Sequence, residues 1–147
     1  MKNLILLTTV FFSMNVLASA TTPTVSEKAL KTFNQVFKDA QNVTWCKVAR
    51  YNAASFTMGG VKTRSLLDNR GNLVQTIRYY KAENLPANIL YNVQKEYCYD
   101  VWGVTEVSNS NGTLYNVVLR CNKFWYHVKA DANGNVELAK RYRRGDI

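Results

Sequence analysis

The residue types that catalyse reactions or bind metals are sparse in this sequence. His127 is the only histidine, which excludes a histidine-rich metal site. Cys121 lies close before it, but strand alternation puts the cysteine in the core and the histidine on the opposite face, away from a thiol nucleophile. Asp68 and Asp131 each begin an Asp-x-x-Gly-Asn turn, and neither loop supplies the further acidic ligands that calcium needs. We therefore predict a protein that is not an enzyme, with no catalytic residue, metal or cofactor.

Residues suited to recognition are better represented. Tryptophan, tyrosine and arginine dominate the energetic centres of protein interfaces. If the strands alternate regularly, rings and guanidinium groups follow one another across neighbouring strands on one sheet face; these residues are Trp102, Arg120, Trp125 and Arg141. Stacked rings and arginines also shield an open sheet, which is a structural alternative. Because exposed tryptophan is unusual, we predict a recognition surface. The predicted binding residues are Trp102, Arg120, Trp125, Arg141, Arg78, His127, Lys129 and Arg64.

The N-terminal residues 1–20 predict a secretory signal peptide. They have a basic start at Lys2, an apolar run from Leu4 to Phe12, and the small-residue ending Ala-Ser-Ala at Ala20. The apolar run is too short for a membrane span and no second run follows, so we predict no membrane span. Residues 21–147 then form a single domain, located in the periplasm or secreted after cleavage near Ala20.

The charge of the chain bears on its partners. The sequence has 19 basic and 10 acidic residues, a net charge of +9, of which Lys2 leaves with the signal peptide. A basic balance favours acidic partners, polyanions or anionic membrane surfaces, although selection for solubility also produces it. The basic run at 141–144 is too short for a nucleic-acid arm, so no nucleic-acid partner is predicted. The expected partner is an envelope or secreted protein or peptide, with an acidic polymer as the alternative.

Three cysteines follow the signal peptide: Cys46, Cys98 and Cys121. In an oxidising compartment they allow at most one disulfide, and their spacing does not choose among the three possible pairs. Burial as a small apolar residue is the expected role of at least one of them.

A repeated segment indicates how the chain is built. DNRGNLVQTIRY begins at Asp68 and DANGNVELAKRY begins at Asp131. Each Asp-x-x-Gly-Asn predicts a three-residue hairpin loop, since Asp bonds its own backbone and Gly adopts positive φ. A regular register from these loops pairs Val61 with Tyr79 and Phe124 with Tyr142. It therefore places both tyrosines in the core and the arginine before each of them on the opposite face.

The surrounding pattern predicts two equivalent units. Met58-Gly59-Gly60-Val61 is a second hairpin signal, and Asn111-Gly112 marks another turn in the second half. Before each unit lies an amphipathic segment: one runs from about Ser26 to Ala40, with Thr24 and Glu27 spaced as a capping box, and the other follows Asn84. The fold class is α+β: a tandem α-β-β-β-β repeat, about 24–81 and 82–144, forming one eight-stranded antiparallel sheet with two helices on one face.

Nearly the whole chain after the signal peptide resembles a known family. The stretches FNQVFKDAQNVTW, DNRGNLVQTIRYY, LPANILYNVQKEY and VELAKRY are similar to β-lactamase-inhibitor-like, PepSY-like envelope proteins of Bacteroidetes. The resemblance implies a secreted, non-enzymatic binder that uses the uncovered sheet face. It does not imply β-lactamase inhibition, because the hairpin at 58–61 lacks the acidic residue with which the inhibitor enters its target.

The residues and the resemblance together predict a non-enzymatic protein- or peptide-binding module, with an inhibitory role as an option. One alternative is a binder of anionic glycans or lipid headgroups through basic residues of the same face: Lys62, Arg64, Arg78, Lys129 and Arg143. In this prediction the first half of the face also carries Thr76 and Tyr80, with Trp45 and Lys47 as further candidates. Another alternative is a structural envelope protein without a specific ligand.

Overall fold

The structure is a computed structural model that describes residues 24–97 and 99–145. The predicted signal peptide and Cys98 lie outside the described residues. The helices are α1 (Glu27–Val36) and α2 (Ala87–Tyr97), with a 3-10 turn at Ala82–Asn84 before α2. The strands are β1 (Gln41–Val48), β2 (Tyr51–Met58), β3 (Val61–Leu67), β4 (Leu73–Tyr80), β5 (Asp100–Asn109), β6 (Gly112–Arg120), β7 (Phe124–Asp131) and β8 (Val136–Arg143).

The eight strands form one antiparallel sheet in the order of the sequence. Both helices pack on the same face, and each has its own core. Phe33 of α1 and Phe37, which follows the helix, pack with Phe56 and Leu67. Ile89 and Val93 of α2 pack with a larger cluster from β3 to β7. The predicted α+β architecture, with two helices on one side of an eight-stranded sheet, is confirmed.

The start of α1 agrees with the prediction, but its cap and its C-terminal bound differ. The helix begins after Ser26, not at a Thr24 capping box, and the Ser26 hydroxyl donates to the carbonyl oxygen of Asn69 at 2.9 Å. It ends at Val36, whose side chain is exposed and is not on the buried face of the helix. Phe37 leaves the helical conformation but stays buried, so the core continues past the last helical turn.

The repeated Asp-x-x-Gly-Asn loops have the same hydrogen bonds. Asp68 Oδ1 accepts from the backbone N–H groups of Arg70 and Asn72, and its Oδ2 accepts from the Asn72 side chain at 2.8 Å. Asp131 repeats this pattern with the two residues at the same offsets. The prediction that both aspartates are turn residues is confirmed.

These bonds lower the pKa of both aspartates below their ordinary value of 3.8, chiefly through the side chains of Asn72 and Asn135. A carboxylate whose pKa is lower in the folded state adds stability above its unfolded pKa, and this stability is lost as the pH falls through the folded value. We expect Asp68→Asn/Asp131→Asn to be less stable than the wild type at pH 7 and to lose less stability as the pH falls below about 4. Urea unfolding at several pH values measures the free energy of unfolding of both proteins. If that free energy changed with pH by the same amount in the wild type and the variant, the prediction would be contradicted.

Each loop also touches a helix through its glycine. Gly71 has φ +89°, and a Cβ built there would lie 2.8 Å from the carbonyl oxygen of Lys28 in α1. Gly134, also at φ +89°, lies against Asn92 of α2, whose amide donates to the Gly134 carbonyl at 2.8 Å. The loops therefore fix the helices to the sheet as well as reversing the chain.

Two bulges change the predicted register. Leu67 pairs with Leu73 but Leu66 pairs with Gln75, so Val74 is an extra residue in β4. Val128 pairs with Leu138 but His127 pairs with Lys140, so Ala139 is an extra residue in β8. A bulge sets two residues opposite one, and a shift of one position moves all later side chains to the other face.

The predicted faces of the Arg-Tyr pairs are therefore wrong. Arg78 lies opposite Thr63, and Arg141 opposite Tyr126, on the face that carries the helices. Tyr79 and Tyr142 lie on the uncovered face, where each is 46% exposed. Thr76 and Tyr80 share the face of Arg78, which also corrects their placement.

Candidate functional site

The open face is the sheet surface opposite α1 and α2. In its second half, four side chains from β5, β6, β7 and the segment after β8 form what we term the tryptophan cluster: Trp102, Arg120, Trp125 and Arg144. Trp102 is the extra residue of a bulge in β5, since Val101 pairs with Leu119 and Gly103 with Val118. The bulge displaces the indole from the regular pleat toward its neighbours on the open face.

Two guanidinium groups flank a pair of indole rings in this cluster. The Arg120 guanidinium lies 4.7 Å from the centre of the Trp102 ring. The Trp102 and Trp125 rings meet edge to face with centroids 5.5 Å apart, and the Arg144 guanidinium lies 5.4 Å from Trp125. Trp102 nevertheless remains 54% exposed. The cluster thus presents a large, ordered aromatic surface to solvent.

Arg144 is held in place by the β6–β7 hairpin. Its backbone N–H donates to the Lys123 carbonyl at 2.9 Å, and its guanidinium donates to the Cys121 carbonyl at 3.2 Å. These bonds position the charged group beside Trp125 after β8 has ended. The sequence prediction missed Arg144 because it lies beyond the strand, where alternation gives no information.

The structure brings three of the four central predicted residues together: Trp102, Arg120 and Trp125. Arg120 pairs with Asp100 and not with Trp102, yet the side chains of Arg120 and Trp102 are in contact. Arg141 is not in the cluster; its guanidinium lies 4.8 Å from the Phe124 ring.

Two further predicted residues lie beside the cluster on the open face. His127 meets Tyr142 edge to face, with ring centroids 5.1 Å apart. Lys129 forms an ion pair with Glu137 at 4.0 Å, as the predicted register requires. Arg64 also lies on the open face, in the first half of the sheet, opposite Ser55 and Ile77.

Arg78 lies instead in a polar network on the helix-bearing face. Its guanidinium bonds both carboxylate oxygens of Glu106, at 3.2 and 3.3 Å, and the Tyr80 hydroxyl donates to the same carboxylate. Burial, followed by the neighbouring Glu106 charge, raises the pKa of Tyr80 well above its ordinary value. This network joins β4 to β5 and so supports the junction between the two repeats.

Other candidate residues of the first half are also on the helix-bearing face. The Trp45 ring packs against Phe33 with centroids 5.0 Å apart, and Lys47 donates to the Asn52 side chain at 2.7 Å. Trp45 and Lys47 thus stabilise the α1 core and do not contribute to the open face. Cys46 and Cys121 are free thiols.

Within residues 24–97 and 99–145, no group of three or more histidine, cysteine or acidic side chains is placed to hold a metal ion. In the same part of the chain, neither helix has the length and apolarity that crossing a membrane requires.

No protein-family profile matches the sequence, and no curated sequence matches it significantly. Several solved structures are similar to it. A BLIP-like protein from Bacteroides fragilis has 18% identity and a TM-score of 0.67, covering 84% of this chain and 90% of that one. A DUF2874 family protein from Bacteroides ovatus has 20% identity and a TM-score of 0.64, covering 84% and 91%. A Bacteroides eggerthii protein provisionally described as periplasmic has 16% identity and a TM-score of 0.62, covering 82% and 89%.

These similarities bear on the resemblance predicted from the sequence. At such low identity they concern the fold, and the PepSY-like part of the prediction stays a prediction. The chain has the fold of the BLIP-like and DUF2874 proteins of Bacteroides, and the predicted resemblance to β-lactamase-inhibitor-like proteins is confirmed at that level.

Proposed function

We propose that this protein is a non-enzymatic binding module that recognises a protein or peptide through the tryptophan cluster. The observation that carries the proposal is an ordered, exposed indole: Trp102 is 54% exposed although Arg120 and Trp125 contact it. Exposing so large a ring costs hydrophobic free energy that a bound partner would recover. Ordering the ring in advance also reduces the entropy lost on binding.

The charge around the cluster favours an acidic partner. Arg120 and Arg144 belong to it, and Lys140 lies on the same face opposite His127. Basic groups at the margin of an aromatic contact speed association with an acidic surface and select the partner's charge. An acidic protein or peptide that covers the indole with an apolar side chain is the expected ligand.

The proposed location is the periplasm or the outside of the cell, after removal of residues 1–20. The N-terminal sequence supports it, as does the similarity to a protein provisionally described as periplasmic. N-terminal sequencing of the exported protein tests it: a mature chain that retains Met1 would overturn it.

The alternative of a polyanion surface has less support. Of its five predicted residues, Arg78 is paired with Glu106 and Arg143 lies opposite Phe124, both on the helix-bearing face. Lys129 is paired with Glu137. The basic residues of the two repeats therefore form separate groups and not one continuous strip.

Quantitative affinity capture from the native envelope tests the proposal. We expect Trp102→Ala/Trp125→Ala to reduce recovery of the specific partner at least about tenfold, since buried tryptophans at interfaces are each worth about 2 kcal/mol or more. Tyr91→Ala is the matched control: Tyr91 is an aromatic residue of α2, 64% exposed, and its loss should leave recovery unchanged.

The capture is repeated at about 0.1 M and 0.5 M salt. An aromatic interface should retain most of its affinity, whereas a polyanion complex loses it steeply because exposed charges are screened. Equal recovery by the wild type and the double variant, with both proteins folded by circular dichroism, would overturn the proposal and favour the structural alternative.

A further inference from the structure

A second candidate site lies on the first half of the open face, apart from the tryptophan cluster. It is a shallow cavity of about 410 Å³ formed by β1, β2, β3 and β4. Eight of its nine lining residues are polar, including Thr44, Ser55, Thr57, Lys62, Arg64 and Tyr79. Its volume falls within the range of about 300–1,000 Å³ typical of small-molecule sites.

The strand register explains why these side chains converge. Thr44, Ser55 and Arg64 form one row across β1, β2 and β3. Thr57, Lys62 and Tyr79 form the next row across β2, β3 and β4. Tyr79 joins the second row only because the Val74 bulge brings it to the open face. The site is therefore built on rigid strands and not on loops.

The two cations of the cavity lack counterions. The ion pairs among the described residues join Arg78 to Glu106 and Lys129 to Glu137, so neither Lys62 nor Arg64 takes part in one. No acidic residue lines the cavity. An anionic group beside the Arg64 and Lys62 side chains would therefore meet two cations and no competing carboxylate, and the charge-assisted hydrogen bonds that it could accept are stronger than neutral ones.

The remaining groups limit the class of anion. The Thr44 hydroxyl donates to the Ser55 carbonyl at 3.3 Å and can still accept a hydrogen bond. The hydroxyls of Ser55, Thr57 and Tyr79 can each donate and accept one, which suits a ligand rich in hydroxyl groups. The exposed Tyr79 ring offers a flat apolar surface for the C–H face of a sugar. We propose that this cavity binds an acidic sugar. Arg64 and Lys62 bind the carboxylate, and the threonine, serine and tyrosine side chains of the two rows bind the ring hydroxyls.

The duplicated unit offers a comparison within the molecule. Counted from the repeated loops at Asp68 and Asp131, Lys62 corresponds to Trp125 and Arg64 to His127. The tryptophan cluster thus occupies the place in the second repeat that the basic cavity occupies in the first. The two surfaces differ in chemistry on an equivalent framework, so the acidic-sugar site is independent of the proposed protein-binding function.

Isothermal titration with tetragalacturonate, and with a neutral galactose tetrasaccharide at equal ionic strength, tests the proposal. We expect the wild type to bind the acidic sugar at least about tenfold more tightly than the neutral one, and Arg64→Gln to weaken binding about tenfold, as expected for the loss of one charge-assisted hydrogen bond. Amide NMR shifts on titration should be centred on Ser55, Lys62 and Tyr79. Sodium sulfate as a third ligand distinguishes a sugar site from one for any oxyanion: it should bind at least about tenfold more weakly than the tetrasaccharide.

Two control variants test whether binding depends on the cavity or on other residues of the open face. Lys140→Gln removes the same charge from the same face outside the cavity, and Trp102→Ala disrupts the tryptophan cluster; each should leave the affinity within about twofold. Three results would overturn the proposal: no binding of tetragalacturonate, equal weakening by Arg64→Gln and Lys140→Gln, or equal affinity for sulfate and the sugar. The Trp102→Ala variant tests the two proposals separately, because it disrupts the tryptophan cluster and should still bind tetragalacturonate.

Discussion

Replacing Gly71 with alanine is expected to lower the free energy of unfolding by about 3 kcal/mol. An L-residue at φ +89° costs about 1–2 kcal/mol, because its Cβ crowds the following carbonyl. The new Cβ would also lie 2.8 Å from the Lys28 carbonyl oxygen, and overpacking adds about 1–3 kcal/mol. The contact is with the backbone of α1, so the helix itself has to move. Urea unfolding of the two proteins measures the difference.

Gly60→Ala is the matched control for this prediction. Gly60 lies at φ +77° in the β2–β3 turn, and a Cβ there would meet no atom within 4 Å. Its substitution should cost only the conformational term, about 1–2 kcal/mol. Equal losses at the two positions would show that Gly71 is needed for its dihedral angles alone, and that the loop does not fix α1.

Phe33→Ala is expected to cost about 3–5 kcal/mol, the usual range for a buried phenylalanine. Phe33 is 3% exposed, and its ring contacts those of Phe37, Trp45 and Phe56 with centroids 5.0–5.2 Å apart. Phe33 is the one aromatic residue of α1, and its contacts with Trp45 and Phe56 connect the helix to both β1 and β2. Its removal leaves a cavity at the centre of the smaller of the two cores, where few neighbours can fill it.

Val36→Ala on the same helix provides the control, since Val36 is 52% exposed and should change stability by less than about 0.5 kcal/mol. Both variants are compared by urea unfolding, with the Trp45 environment followed by NMR. A loss below about 1 kcal/mol for Phe33→Ala would mean that α1 contributes little to the stability of the fold and that the larger core under α2 provides most of it.

The architecture could be predicted from the sequence because local signals agree with one another. The Gly59-Gly60 turn, the Asp68 and Asp131 loops and the two apolar helix stripes each fix one element, and their repetition fixes the order of the elements. Such signals act over a few residues and do not depend on distant contacts. The cap of α1 was less predictable, because the Ser26 hydroxyl donates to the carbonyl of Asn69, which lies 43 residues later in the sequence.

The site could be predicted only in part, since its residues depend on register. Arg120 lies in β6 and Trp125 in β7, whose hairpin is regular in this region, and their pairing follows from alternation. Arg78 and Arg141 lie beyond bulges, and nothing in the residue types of Val74 or Ala139 marks them as extra. Arg144 owes its position to backbone acceptors at Lys123 and Cys121. Contacts of this kind are set by tertiary structure and leave no periodic pattern in the sequence.

The bulge at Ala139 determines which residues the end of β8 presents to a partner. A regular ladder of the same residues would pair Ala139 with His127, set Arg141 opposite Trp125 and turn Tyr142 toward the helices. Loss of the single codon for Ala139 would not have this effect, because it removes the extra residue and leaves the later pairs of β8 in place. The aromatic character of the open face at this edge strand thus depends on one unpaired residue and would survive its deletion.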